Sequence, residues 1–153
     1  MPRVVNGIEE LRMLLGQELG VSDWLPVSQD LIDRYADISG DHQWIHVDVE
    51  RATRGTPFKS TIAHGFLTVT LLTRLVRDAV EVRGDFKMTI NYGFNRLRFV
   101  SPVPAGSRIR ARVAPQGIKD VEGGVEVTWQ VTIEVEGGTK PAVAAEWLGR
   151  YYY

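Results

Sequence analysis

Apolar residues recur at helical spacing through the first half of the chain and at alternate positions through the second. Ile8, Leu11, Leu14 and Leu15 set a period of three to four that predicts an amphipathic helix from Ile8 to Leu19, with Gly20 placed to stop it. Ser28 is a residue type that caps helix N-termini. Leu31, Ile32, Tyr35 and Ile38 then form one apolar face, and Gly40 supplies the C-terminal stop. A helix ending there delivers Asp41 into a loop. From Arg51 to Thr61 no period is evident, which predicts an irregular or partly helical overhang. Phe66 to Val80 is apolar around much of its circumference until Arg74, Arg77 and Asp78 mark a wetter end, the pattern of a core helix.

After Gly84 the period changes to two. Met88 to Val100 alternates loosely and ends at the turn-rich run from Ser101 to Gly106. Arg108 to Val113 alternates charged and apolar residues, and Val125 to Val135 does so over a longer span, as strands with one buried face should. Gly123-Gly124 and Gly137-Gly138 punctuate these strands as hairpin turns. Ala142 to Tyr153 reads as one more strand, although Ala144-Ala145-Glu146 leaves a helix open. A buried helix with a mostly antiparallel sheet predicts an α+β domain whose sheet wraps around Phe66 to Val80.

Composition narrows the function classes. A chain of 153 residues, 44% hydrophobic, is long enough for one well-buried core and too short for two ordinary domains, so residues 1–153 are read as one domain. Its 18 basic and 19 acidic residues are mixed along the chain and leave a net charge of −1, which argues against nucleic acid or an anionic membrane surface as partner. The absence of cysteine excludes disulfides, thiolate nucleophiles and cysteine-bound zinc. With no signal-peptide pattern in Met1 to Leu15 and no run of roughly 18 apolar residues, the expected location is the cytoplasm.

The chemistry is concentrated in two segments. In Ser39-Gly40-Asp41-His42-Gln43-Trp44-Ile45-His46, a carboxylate and an imidazole lie five positions apart just after a helix has ended. In Ile62-Ala63-His64-Gly65-Phe66-Leu67, a glycine precedes the core helix and could present its backbone N–H at a helix N-terminus. An acid, a base and an oxyanion donor are what a proton-transfer enzyme needs. A metal site from Asp41, His42, His46 and His64 is a competing reading. The four-residue spacing of His42 and His46 converges only on a helix, however, and Gly40 argues that the helix has ended.

The run Tyr35-Ala36-Asp37-Ile38-Ser39-Gly40-Asp41-His42-Gln43-Trp44-Ile45-His46, followed by Ala52, resembles the hydratase-2 motif of the MaoC-like dehydratases, the (R)-specific enoyl-CoA hydratases of the hot-dog fold. Val21-Ser22-Asp23-Trp24 upstream and Ala63-His64-Gly65-Phe66-Leu67-Thr68 downstream are similar to the branch containing NodN-like proteins and mycobacterial 3-hydroxyacyl-thioester dehydratases. The resemblance runs from about Leu15 onward. It implies a hot-dog fold and reversible addition of water to a trans-2-enoyl thioester of CoA or acyl-carrier protein. It also implies an (R)-3-hydroxyacyl product, no metal or redox cofactor, and a homodimer.

The same resemblance assigns Asp41 and His46 to the reacting water and the Gly65 N–H to the thioester oxygen. Family members usually carry Asn-Pro where this chain has Gln43-Trp44; the Gln43 amide can offer the same water contact from a side chain one methylene longer. His64 can orient the Gly65 turn and so position water or substrate. With reference pKa values of about 3.9 and 6.5, Asp41 as base and His46 as acid is one assignment, and the reversed proton placement has the same total charge. Two other readings share the fold: an acyl thioesterase and a non-catalytic acyl-thioester-binding or dimer-partner protein. Thioesterases of this fold commonly place a carboxylate on the core helix, where this chain has only Asp78, near the far end.

Overall fold

The structure is a computed structural model that describes residues 1–153. Its elements, in chain order, are β1 (Arg3–Asn6), α1 (Gly7–Met13), β2 (Gly20–Val21), β3 (Leu25–Pro26), α2 (Gln29–Ser39), α3 (Trp44–Val47) and α4 (Val49–Gly55). There follow α5 (Gly65–Thr70), α6 (Leu72–Ala79), β4 (Val80–Arg83), β5 (Met88–Phe99), β6 (Arg108–Val121), β7 (Gly124–Val135) and β8 (Val143–Tyr152). The four long strands form an antiparallel sheet in the order β6-β7-β8-β5. Both two-residue strands, β2 and β3, add to the outer side of β6. A separate two-stranded parallel pair joins β1 to β4.

Alternation decides what the sheet buries. Val125, Val127, Trp129, Val131 and Ile133 of β7 share one hydrophobic core with Leu72, Leu75, Val76 and Ala79 of α6, so the sheet wraps the core helix as its period predicts. The opposite face of the same strands carries ion pairs. Arg108 meets Glu136, Arg110 and Arg112 meet Glu134, and Arg150 and Lys119 meet Glu126. At the far end of the sheet β5 pairs only with β8, and Ile90, Tyr92, Phe94 and Phe99 are exposed along it. No helix is long and apolar enough to cross a membrane.

Helix α2 forms as its local signals dictate. The Ser28 Oγ accepts a hydrogen bond from the Leu31 N–H at 3.1 Å, and Gly40, at φ 74°, closes the C-terminus with its N–H on the Ala36 carbonyl at 2.9 Å. Its buried stripe is Ile32 and Ala36, flanked by Leu31 and Tyr35. Ile38 departs from expectation and is 84% exposed, because it lies six residues from Ile32 and so roughly 240° round the helix.

Three elements differ from the sequence reading. Helix α1 stops at Met13 rather than Leu19, because Gly16 turns left-handed at φ 79° and gives its N–H to the Pro115 carbonyl of β6 at 2.7 Å. Gly20 begins β2 instead of stopping a helix, and it packs so closely on α6 that a Cβ there would lie 2.4 Å from the Ala79 carbonyl oxygen. The core helix is divided at Leu71, although Leu71 stays right-handed (φ −77°, ψ −10°) and accepts the Leu75 N–H at 3.0 Å. It also ends at Ala79, where Val80 turns extended to pair β4 with β1.

Candidate active site

The α2 stop and the segment before α5 meet at one place. The Asp41 N–H donates to the Ser39 Oγ at 3.2 Å, and the Gln43 N–H donates to the Asp41 Oδ1 at 3.2 Å, a local turn that aims the carboxylate. One short helical turn later, His46 is 7% exposed. Its backbone neighbour Ile45 accepts the Ile62 N–H at 3.1 Å, and its own Nδ1 donates to the Ile62 carbonyl at 2.7 Å. The loop around Asp41 and the chain leading into α5 are thereby laced together.

His64 completes the junction. Only 3% exposed, it is the N-cap residue of α5, and its Nε2 donates to the Asp41 carbonyl at 2.9 Å. The His64 ring lies against that of His46, with centroids 3.8 Å apart at 22°, and Tyr35 closes over it at 5.0 Å. A carbonyl can only accept, so each imidazole has one nitrogen committed as a donor and the other left with a lone pair when neutral. For His46 that nitrogen is Nε2. One ligand-capable atom from each of Asp41, His46 and His64 lies within 4.8 Å of the other two.

Burial lowers the His46 pKa below its ordinary 6.5. The neighbouring His64 ring adds to this, and the Ile62 carbonyl and the Asp41 carboxylate oppose it without reversing it. His46 is therefore held neutral near pH 7. Gly65 is the first residue of α5, so its N–H has no partner within the helix. With His46, Thr68 and Phe99 it lines a cavity of about 240 Å³, and a Cβ on Gly65 would sit 3.1 Å from the Phe99 ring.

The remaining candidates fall outside this core. Gln43 comes to it through its backbone N–H, while its exposed side-chain amide makes no hydrogen bond. Trp44 packs beneath Arg51, whose guanidinium lies 4.1 Å from the ring centroid. His42 points away, 3.7 Å from Asp37, so the metal reading built on His42 and His46 as a pair has no geometry behind it.

The sequence reading missed Gln29 and Thr61. The Gln29 Nε2 donates to the His46 carbonyl at 2.8 Å, and its Oε1 accepts the hydroxyl of buried Thr61. One amide thus ties α2 to both candidate segments. Only the first position of α2, just after its cap, hinted at a special place for Gln29. Gln29→Leu is expected to leave the Thr61 hydroxyl unpaired and the His46 turn loose, costing about 1–3 kcal/mol of stability. Thermal unfolding of the variant beside the parent checks this, and an unchanged Tm would remove Gln29 from the scaffold of the site.

A sheet wrapped over a core helix, with an aspartate and a buried imidazole gathered near the start of that helix, defines a hot-dog protein. The chain belongs to the MaoC like domain family, which it matches over residues 11–137. It is 47% identical over 150 residues to 3-hydroxyacyl-thioester dehydratase Z of Mycobacterium tuberculosis, covering 97% of this chain and 98% of that protein. It is 41% identical over 142 residues to nodulation protein N of Rhizobium meliloti, covering 92% of this chain and 88% of that one. Among solved structures, the (R)-hydratase from A. caviae involved in PHA biosynthesis superposes with a TM-score of 0.69 at 24% identity, over 88% of this chain and 96% of that one.

Proposed function

We propose that this protein catalyses the reversible hydration of trans-2-enoyl thioesters to (R)-3-hydroxyacyl thioesters, with Asp41 and His46 as the acid–base pair and the Gly65 N–H as the oxyanion donor. The observation that carries the reading is His46: a buried imidazole held neutral, its Nδ1 spent on the Ile62 carbonyl, beside the Asp41 carboxylate and on the cavity that begins at Gly65. The 47% identical relative is itself named a 3-hydroxyacyl-thioester dehydratase. The acyl carrier is CoA or acyl-carrier protein, and the site of action is the cytoplasm.

A neutral His46 makes the imidazole the base, and beside it Asp41 stays an ionised carboxylate, one proton fewer than in either placement weighed from the sequence. Nε2 takes a proton from water as its oxygen bonds to C3, and the electron pair of the double bond moves onto the thioester oxygen facing Gly65. The Asp41 carboxylate stabilises the imidazolium so formed. That imidazolium returns the proton to C2, so the pair ends as it began.

Loss of the conjugated double bond's absorbance, followed across a chain-length series of enoyl-CoA substrates, tests the activity. A thioesterase would instead release free thiol, and a binding protein would do neither. The pH profile tests the proton assignment. A base must be neutral, so kcat/KM should rise with pH through a midpoint below 6.5 and stay level through pH 7–8. If the imidazolium were the resting form, activity would fall over that rise. The lowered pKa also means that His46 withdraws its support for the fold as the pH drops below about 6.5, since the unfolded chain then binds the proton more readily.

A second copy of this chain on β5 is part of the proposal. Its twelve residues leave one side unpaired, next to exposed Ile90, Tyr92, Phe94 and Phe99 and the exposed Phe66 of α5. Light scattering at micromolar concentration should give twice the 17.2 kDa chain mass, and a monomer would count against this part.

A further inference from the structure

We propose that Arg51, held over the Trp44 ring, binds the phosphate groups of a CoA thioester with help from Lys59, so that CoA rather than an acyl-carrier protein brings the acyl chain. The carrier assignment rests on the thioester reading above; the phosphate site can be tested apart from turnover.

The platform comes first. Trp44 and His46 share the short helix α3. Residues two apart point roughly 200° from one another round a helix, so the turn that sends His46 inward sends Trp44 outward. His46 is accordingly buried and Trp44 half-buried. The Arg51 guanidinium lies 4.1 Å from the indole centroid, and the indole is backed by α4, where a Cβ on Gly55 would sit 3.5 Å from its six-membered edge. An arginine ordered over an aromatic ring still has its fork of N–H donors for a bidentate bond to phosphate.

The charge is unspent. On the same helix Arg54 pairs with Glu50 at 3.0 Å, and the Asp48 carboxylate accepts the Arg51 backbone N–H at 3.0 Å, while the exposed Arg51 guanidinium has no carboxylate partner. Lys59 is the second, independent observation. It alone among the non-glycine residues is left-handed, at φ 55°, and its exposed ammonium makes no ion pair. Glycine would adopt that conformation at no steric cost; what lysine adds is the charge. Lys59 stands three residues before Ile62, whose carbonyl anchors the His46 ring. Both cations therefore rise from the segments that hold His46, on their solvent side.

That placement suits CoA. Its pyrophosphate and 3′-phosphate lie at the end of a long arm, so the cations that meet them belong on the rim and not in the site. Two ordered cations fit a small polyanion of this kind. An acidic carrier protein needs a broad basic face, which a chain of net charge −1 with Arg54 already paired does not offer here.

Isothermal titration with CoA itself reads the site without turnover. Arg51→Gln should weaken CoA binding by about tenfold, the effect of one charge-assisted bond, whereas Arg54→Gln, whose cation already serves Glu50, leaves it unchanged. Arg51 is exposed, so the Tm of its variant should barely move. Arg51→Lys keeps the charge without the fork and should recover only part of the loss. Lys59→Gly should also weaken CoA, with a Tm no lower than the parent's. In steady state the Arg51→Gln effect should fall on KM for crotonyl-CoA and not for crotonyl-pantetheine, which has the same thioester and no phosphate. Crotonyl-CoA should have a higher kcat/KM than the crotonyl acyl-carrier protein. The site is overturned by an absence of saturable CoA binding in the parent, by undiminished binding in Arg51→Gln, or by an equal rise in KM for both thioesters. A higher kcat/KM on the carrier protein overturns the choice of CoA. An absence of hydration with every thioester refutes the hydratase reading, while the titration still decides the site.

Discussion

His46→Asn is expected to lower kcat for enoyl-thioester hydration by about 10²–10⁴, the range for a proton-transfer group, and Asp41→Asn, which removes the carboxylate that stabilises the imidazolium, by a comparable factor. The fold should survive both. Asp41 is exposed, and an asparagine there can still accept the Gln43 N–H through its side-chain oxygen. Asparagine at position 46 can direct its amide N–H to the Ile62 carbonyl where Nδ1 of the imidazole does so now, yet it has no counterpart to Nε2. The variant therefore separates the base from the anchor. Residues that act as one unit lose little more when both are removed, so the double variant should fall close to the worse single. Near-normal turnover in either purified single variant would break the assignment.

The second large effect is expected at Gly65. Proline is best tolerated at the first position of a helix, where its missing N–H has no intrahelical partner, and His64 at φ −58°, ψ 137° already has the conformation a residue before proline adopts. Gly65→Pro thus deletes the proposed oxyanion donor with little disturbance of α5. A Cβ at this position presses on the Phe99 ring in any variant, so Gly65→Ala is the matched comparison that keeps the N–H. Proline should be slower than alanine in kcat by about 10²–10³, the usual cost of removing one oxyanion donor. Equal rates would move the oxyanion donor elsewhere.

What could be read from the sequence was whatever local chemistry decides. Ser28 and Gly40 bound α2 through contacts within four residues, so the release of Asp41 into a loop was legible, as were the alternating strands and their glycine turns. What could not be read depends on distant partners. Helix α1 is cut short by a carbonyl at Pro115, and β4 exists because β1 is there to pair with it. The two histidine segments were visible separately. That the rings of His46 and His64 would stack at 3.8 Å, each wired to a carbonyl of the other segment, was not. Gln29 left no trace beyond its place just after the α2 cap, because its partners lie 17 and 32 residues away.

The sheet has two unequal ends. One is β5, twelve residues long and open; the other offers only β2 and β3, two residues each, too short to template another strand. The charged ladder of arginines and glutamates on the outer face discourages stacking of one sheet on another. A chain built this way resembles a monomer unit with a single reactive end. In the dimer proposed above, that end would be consumed by a twin related through a two-fold axis, so no growing terminus would remain, and the geometry that invites association would also cap it at two rather than letting it run on into a fibre.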